Sequence, residues 1–139
     1  MDHVVTADGR LRVWETFRRV ESLELYAYLT DPAKLTQWWP SEAQVDAAPG
    51  GSFRYTVADG VATEEVSGTF SEAEPGKRLA FSLLEQGEAE RQFVMDLEAR
   101  DADTLLTVTH GPFGDKAERQ KQLDEWTRLL KKLKAAARV

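Results

Sequence analysis

His110 lies at the end of the stretch DTLLTVTHG and is one of two histidines in the chain. Imidazole titrates near neutral pH, so it can move a proton or fix a ligand by a hydrogen bond. Leu106, Val108 and His110 alternate with Leu105, Thr107 and Thr109, which sets the histidine on the apolar face of a strand. Two readings stand side by side: a group that meets a ligand, or a half-buried strand-end histidine satisfied by backbone. His3, in MDHVVTADGR, falls in a segment read as a floppy terminus.

Two further groups have chemistry to offer. Glu15 follows Leu11 and Val13 and precedes Phe17 in period two, so with that face inward its carboxylate is inward too and needs a partner. Arg91, on the face shared by Phe93 and Met95, is the candidate partner. The opposite facing, with Trp14 and Val20 inward, fits the same strand equally well. Tyr55 adds a phenol. Catalysis by these three groups would require His110, Tyr55 and Glu15 within about 3 Å of one common point.

Other chemistries have no basis. The chain has no cysteine, which removes disulfides, thiolate metal sites and a Cys nucleophile. No Gly-x-Ser-x-Gly elbow is present. Neither histidine has a second His or an acid at helical ligand spacing, so no metal or cofactor is expected. Pro49-Gly50-Gly51 precedes a strand, not a helix, and reads as a tight turn instead of a phosphate cradle. Glu64-Glu65 and Asp101-Asp103 read as solvated surface.

The aromatic residues carry more. Phe53, Tyr55, Phe70, Phe81, Phe93, Met95 and Trp126 all fall on faces that look inward. With Trp38, Trp39, Val108, His110 and Leu130 they form the candidate lining of an apolar ligand cavity with a few polar groups. The competing reading is that they simply fill the core. Trp38 and Trp39 are adjacent, so one is expected to plug the core and the other to lie as a lid over the cavity mouth. Leu35, four residues earlier on the same helical face, points to Trp39 as the inward ring.

The elements that position these residues are readable in order. GRLRVWETFRRV reads as a first strand, and SLELYAYLT as a helix with Ser22 as N-cap. Asp31-Pro32 starts a second short helix that stops at Pro40. AQVDAAPGGSFRYTVADG contains two extended pieces around the glycine turn, with Phe53, Tyr55 and Val57 on one face, and Asp59-Gly60 is a hairpin signal. Four more strands alternate apolar and polar residues: Val66, Gly68 and Phe70; Leu79, Phe81 and Leu83; Phe93, Met95 and Leu97; then the strand of His110. Asp115 and Glu118 have capping-box spacing. Leu123, Trp126, Leu130, Leu133 and Ala137 then mark the apolar stripe of a long helix. A sheet with one apolar face and a helix with one apolar stripe must cover each other, which makes an α+β fold.

LTDPAKLTQWW, VDAAPGGSFRY, SGTFSEAEPGKRLAFS, DTLLTVTHG and EWTRLLKKL, in this order and over nearly the whole chain, resemble the START and birch-pollen-allergen superfamily (SRPBCC). The closer likeness is to its branch named after the activator of the heat-shock-protein-ninety ATPase. The resemblance implies a helix-grip: a curved antiparallel β-sheet wrapped around a long C-terminal helix, two short helices after strand 1, and a cavity between sheet and helix. It implies a single domain over residues 1–139. Members bind lipids or polyketides, act as cyclases or aromatases, or assist chaperones. The expected function is therefore binding of a hydrophobic or aromatic small molecule. A chaperone-associated interaction module and a polyketide cyclase/aromatase-like enzyme are the alternatives.

Composition sets limits on partners. The chain has 139 residues, 42% of them hydrophobic and 30% charged, which suits one soluble globular domain. The net charge of −6 is uneven: residues 116–139 hold 8 bases and 3 acids. Cations near a helix C-terminus complement its dipole, and the acidic body repels a phosphate backbone, so no nucleic acid is expected. No signal peptide and no span of roughly 18 apolar residues is visible, so a cytoplasmic protein without membrane insertion is expected, as a monomer or weak dimer.

Overall fold

The computed structural model describes residues 1–40, 42–58, 63–84 and 90–137. Its elements are β1 (Asp2–Val5), β2 (Leu11–Phe17), α1 (Ser22–Thr30), α2 (Pro32–Leu35), β3 (Glu42–Val45), β4 (Ser52–Ala58), β5 (Thr63–Glu74), β6 (Arg78–Leu84), β7 (Arg91–Arg100), β8 (Asp103–Gly111) and α3 (Lys116–Ala137). The strands form one eight-stranded antiparallel sheet in the order β1-β2-β8-β7-β6-β5-β4-β3. Strands β3 to β8 are a meander of sequence neighbours, and β2 closes onto β8. The α+β architecture, with a long final helix over the sheet, is the expected one.

The short helices follow the second strand, not the first. The extra strand is β1, whose residues are all exposed, so no burial alternation marked it in sequence. Its backbone ladder with β2 holds it, and His3, expected in a floppy terminus, pairs with Val13. β2 ends at Phe17, short of Val20, because Arg19 turns the chain at a φ of 59°. Such a backbone conformation is uncommon for a residue with a Cβ. The Arg19 amide donates to the Asp103 carboxylate at 2.9 Å, which holds the turn.

Local signals at the helix ends were right in part. Asp31 caps α2, accepting from the Ala33 amide at 3.1 Å with Pro32 in the first position. Ser22 is the first helical residue instead of the cap; Glu21 occupies that place with no side-chain bond. Asp115 accepts from the Ala117 amide at 2.9 Å, but Glu118 turns to Arg91 and does not complete a capping box. The hairpin expected at Asp59-Gly60 lies outside the described residues, as do the side chains of Val57 and Glu64.

The core forms where the apolar face of the sheet meets α1, the turn after α2, and α3. Among the described residues, Phe53, Tyr55, Val66, Phe70, Leu79, Phe81, Leu83, Phe93, Met95, Leu97, Leu106, Val108 and His110 are buried as alternation required. From α3 the sheet receives Trp126, Leu129, Leu130, Leu133 and Ala137, while Leu123 is only partly covered. Tyr28 on α1 ties the layers together, donating its hydroxyl to the Ala136 carbonyl at 3.0 Å.

Candidate functional site

Strand register lays a row of side chains across the sheet. Leu11 pairs with His110, His110 with Phe93, Phe93 with Phe81, and Phe81 with Phe70. Cross-strand neighbours on one face stand close enough for rings to touch. Ring centroids are 5.8 Å apart for Phe70 and Phe81, 4.9 Å for Phe81 and Phe93, and 3.8 Å for Phe93 and His110. Phe53 joins the row from β4, 5.2 Å from both Phe70 and Phe81. Its cross-strand partner is Gly68, and a Cβ there would lie 2.6 Å from the Phe53 ring and 1.8 Å from the Ser82 carbonyl oxygen. Only a glycine lets the Phe53 ring and β6 approach this closely.

Helix α3 and the turn after α2 cover the row. Trp126 sits 6.2 Å from both Phe93 and His110. Trp39 touches Tyr55, Phe93 and Trp126 at 5.4, 6.1 and 5.9 Å. The sequence-predicted lining thus does come together: Phe53, Tyr55, Phe70, Phe81, Phe93, Met95, Val108, His110, Trp126 and Leu130 are each at most 4% exposed. Its aromatic members and His110 meet as rings in contact with one another.

The roles of the adjacent tryptophans are the reverse of those expected. Trp38 is the plug, 1% exposed, with its indole N–H donating to the Tyr28 carbonyl at 2.7 Å. Trp39 is half-buried at the edge of the core. Helix α2 ends at Leu35. Beyond it the Leu35 carbonyl accepts from both the Trp38 amide at 3.3 Å and the Trp39 amide at 3.2 Å. Positions i+3 and i+4 both neighbour Leu35 on a helical surface, and the bond of the Trp38 indole to the Tyr28 carbonyl holds Trp38 as the inward one.

His110 is held from two sides. Its ring stacks on Phe93, with Phe113 edge-on at 4.9 Å. The Trp126 indole donates to Nδ1 at 3.2 Å. Nε2 is buried and meets no acceptor among the described residues. Burial, and then the Arg91 charge, push its pKa down to about 3, so the ring is neutral through the physiological range. Burial likewise raises the pKa of the Tyr55 hydroxyl.

Glu15 does face inward with Leu11, Val13 and Phe17, but Arg91 is not its partner. The Glu15 carboxylate takes the Lys134 ammonium at 3.2 Å and the Met1 amino group at 2.9 Å. Burial raises its pKa, and these two donors outweigh that, leaving it below the ordinary value. Arg91 instead bonds Glu118 at 2.6 Å and the Pro112 carbonyl at 2.5 Å, and lies over the Phe113 ring at 4.7 Å. The separation is topological. Glu15 stands opposite Leu106, four residues along β8 from His110, or about 13 Å at strand rise. His110, Tyr55 and Glu15 therefore do not meet at one point. Sequence reasoning missed Phe113 and the contact of Arg91 with it. Both depend on how the chain turns back between β8 and α3, which no periodicity encodes.

Among the described residues two concavities of similar volume stand out, and the second reaches the ring row at Phe53. One, of about 660 Å³, is lined by Glu15, Arg18, Arg19, Glu24 and Lys134. The other, of about 690 Å³, runs along Gln44, Asp46, Arg54 and Ser67 beside Phe53. Among the described residues no group of three or more His, Asp and Glu side chains is placed to hold a metal ion. No helix among them is long and apolar enough to cross a membrane.

Comparison with solved structures agrees with this architecture. CalU16 from Micromonospora echinospora superposes with a TM-score of 0.77 at 20% identity, over 98% of this chain and 82% of that one. DynU16, from the dynemicin biosynthetic locus, gives 0.80 at 23% identity, over 91% of this chain and 46% of that one. A protein from Rhodobacter sphaeroides gives 0.78 at 24% identity, over 96% and 95% of the two chains. At these identities the likeness is one of fold. No curated protein matches the sequence. The family model described as activator of Hsp90 ATPase homolog 1-like protein matches residues 19–138, from the β2–α1 turn through α3, and the chain belongs to that family.

Proposed function

We propose that this protein binds a hydrophobic or aromatic small molecule, lipid- or polyketide-like, between the concave face of the sheet and α3. The observation that carries this reading is the ring row itself: Phe70, Phe81, Phe93 and His110 in register across four strands. A core needs apolar volume, but it does not need a continuous aromatic surface with a neutral imidazole in it. Trp39 is the entrance. It touches Tyr55, Phe93 and Trp126 yet stays half-buried, so its displacement uncovers three members of the lining at once. The link of DynU16 to a natural-product biosynthetic locus favours a polyketide-like ligand within this class. The test is an NMR titration against lipids, flavonoids and polyketides. Shifts clustered on Phe81, Phe93 and Trp126 support the reading, and no response to any of the panel overturns it.

A second reading has its own observation. The rings fill the space between sheet and helix by touching one another, which is what a module working through its surface would show. The family's chaperone-activating namesake makes a chaperone the partner to try. Adding a chaperone middle domain to the same titration separates the two: shifts on exposed residues of α3 with the ring row unmoved favour the interaction module.

A further inference from the structure

We propose that the Nε2–H of His110 is the polar anchor of the ligand site, selecting a flat apolar molecule with a neutral hydrogen-bond-accepting oxygen, of the aryl ketone type. This rests on the ligand-binding reading above and names the chemistry it requires. The argument begins with Trp126. An indole N–H only donates, so the Nδ1 atom it meets at 3.2 Å must offer a lone pair. With Nδ1 unprotonated, the proton of the neutral ring sits on Nε2. That N–H is buried and finds no acceptor among the described residues. A buried donor left unmet costs free energy that an incoming acceptor recovers.

The surroundings define the rest of the ligand. His110 stacks on Phe93 at 3.8 Å and meets Phe113 edge-on, so a flat apolar body suits the site. An anionic oxygen is not required. The nearby cation, Arg91, is already bonded to Glu118 and the Pro112 carbonyl, and Glu118 neutralises it. A ligand carrying only a donor gains nothing at Nε2, because Nε2 is itself a donor in this tautomer.

A pair of isosteric probes tests the anchor. 2-Acetonaphthone carries a carbonyl oxygen where 2-isopropenylnaphthalene carries a methylene group, on the same naphthalene body. Titration of the wild-type protein is expected to give about tenfold tighter binding of the ketone, the size of one recovered hydrogen bond. The Nε2 proton of His110, followed by ¹H–¹⁵N correlation, is expected to move downfield with the ketone only. In His110→Phe the two affinities are expected to become equal. Should that variant unfold, the wild-type imidazole resonance still decides. Equal wild-type affinities with an unmoved Nε2 proton overturn the anchor while leaving ligand binding intact. Failure of both probes to bind overturns the anchor and the cavity reading together.

Discussion

The Trp126 indole donates to Nδ1 of His110 at 3.2 Å, joining the middle of α3 to the last strand of the sheet. One bond thus docks the helix and fixes the tautomer of a buried imidazole. Trp126→Phe keeps an aromatic ring, removes the donor and leaves a smaller side chain in a buried site. It is expected to cost about 1–3 kcal/mol or more in urea unfolding, because Nδ1 is left buried without a partner and the smaller ring underfills the site. The imidazole ¹⁵N shifts are expected to change from one tautomer to a mixture. A variant with unchanged tautomer shifts would show that the bond does not set the proton's position.

His110 also makes stability depend on pH. Its folded pKa, pushed down to about 3 by burial and then Arg91, lies below the ordinary 6.5. Between these values the unfolded chain binds a proton that the folded chain does not. Stability is therefore full above pH 6.5 and falls as pH drops, by up to about 1.4 kcal/mol per unit, until pH 3. The Glu15 carboxyl, held below its ordinary 4.5, adds a loss of the same sign at more acid pH. The window from pH 6.5 to 5 isolates the histidine. Stability of His110→Phe is expected to be flat across that window, and a wild-type slope equal to that of the variant would refute the assignment.

The adjacent tryptophans separate stability from binding. Trp38→Leu empties a fully buried site and strands the Tyr28 carbonyl, at an expected cost of about 2–4 kcal/mol. Trp39→Leu loses only partly buried contacts, at an expected cost under about 1.5 kcal/mol, and it alone is expected to change ligand affinity. Chemical denaturation with a parallel titration checks both. Equal losses of stability would contradict the division of roles.

Gly68 is the sharpest test of the ring row. Gly68→Ala sets a methyl 1.8 Å from the Ser82 carbonyl oxygen and 2.6 Å from the Phe53 ring. Backbone on one side and a packed ring on the other leave no easy relief. A loss of roughly 3 kcal/mol is expected, with perturbed Phe53 and Phe81 resonances. A tolerated alanine would mean that β5 and β6 are farther apart than this geometry has them.

Much of this protein is fixed by the order of its residues. Period-two alternation in β4 to β8 and the stripe of α3 identify the apolar faces, and two apolar faces leave one way to be covered. His110, Phe93, Phe81 and Phe70 are each readable as inward because burial follows alternation strand by strand. Asp31-Pro32 marks a helix start by local geometry alone.

What the tertiary structure decided is which inward residues meet. The pairing of Glu15 with Lys134 instead of Arg91, and its distance from His110, follow from the register of β2 on β8, a long-range property with no local signature. Trp38 took the inward role from Trp39 through the bond of its indole to the Tyr28 carbonyl of α1, a contact between elements that side-chain spacing does not encode. β1 escaped notice because it is held by backbone hydrogen bonds, and every residue has those to offer. The proton on Nε2 of His110 is set by an indole that reaches it from another layer of the fold.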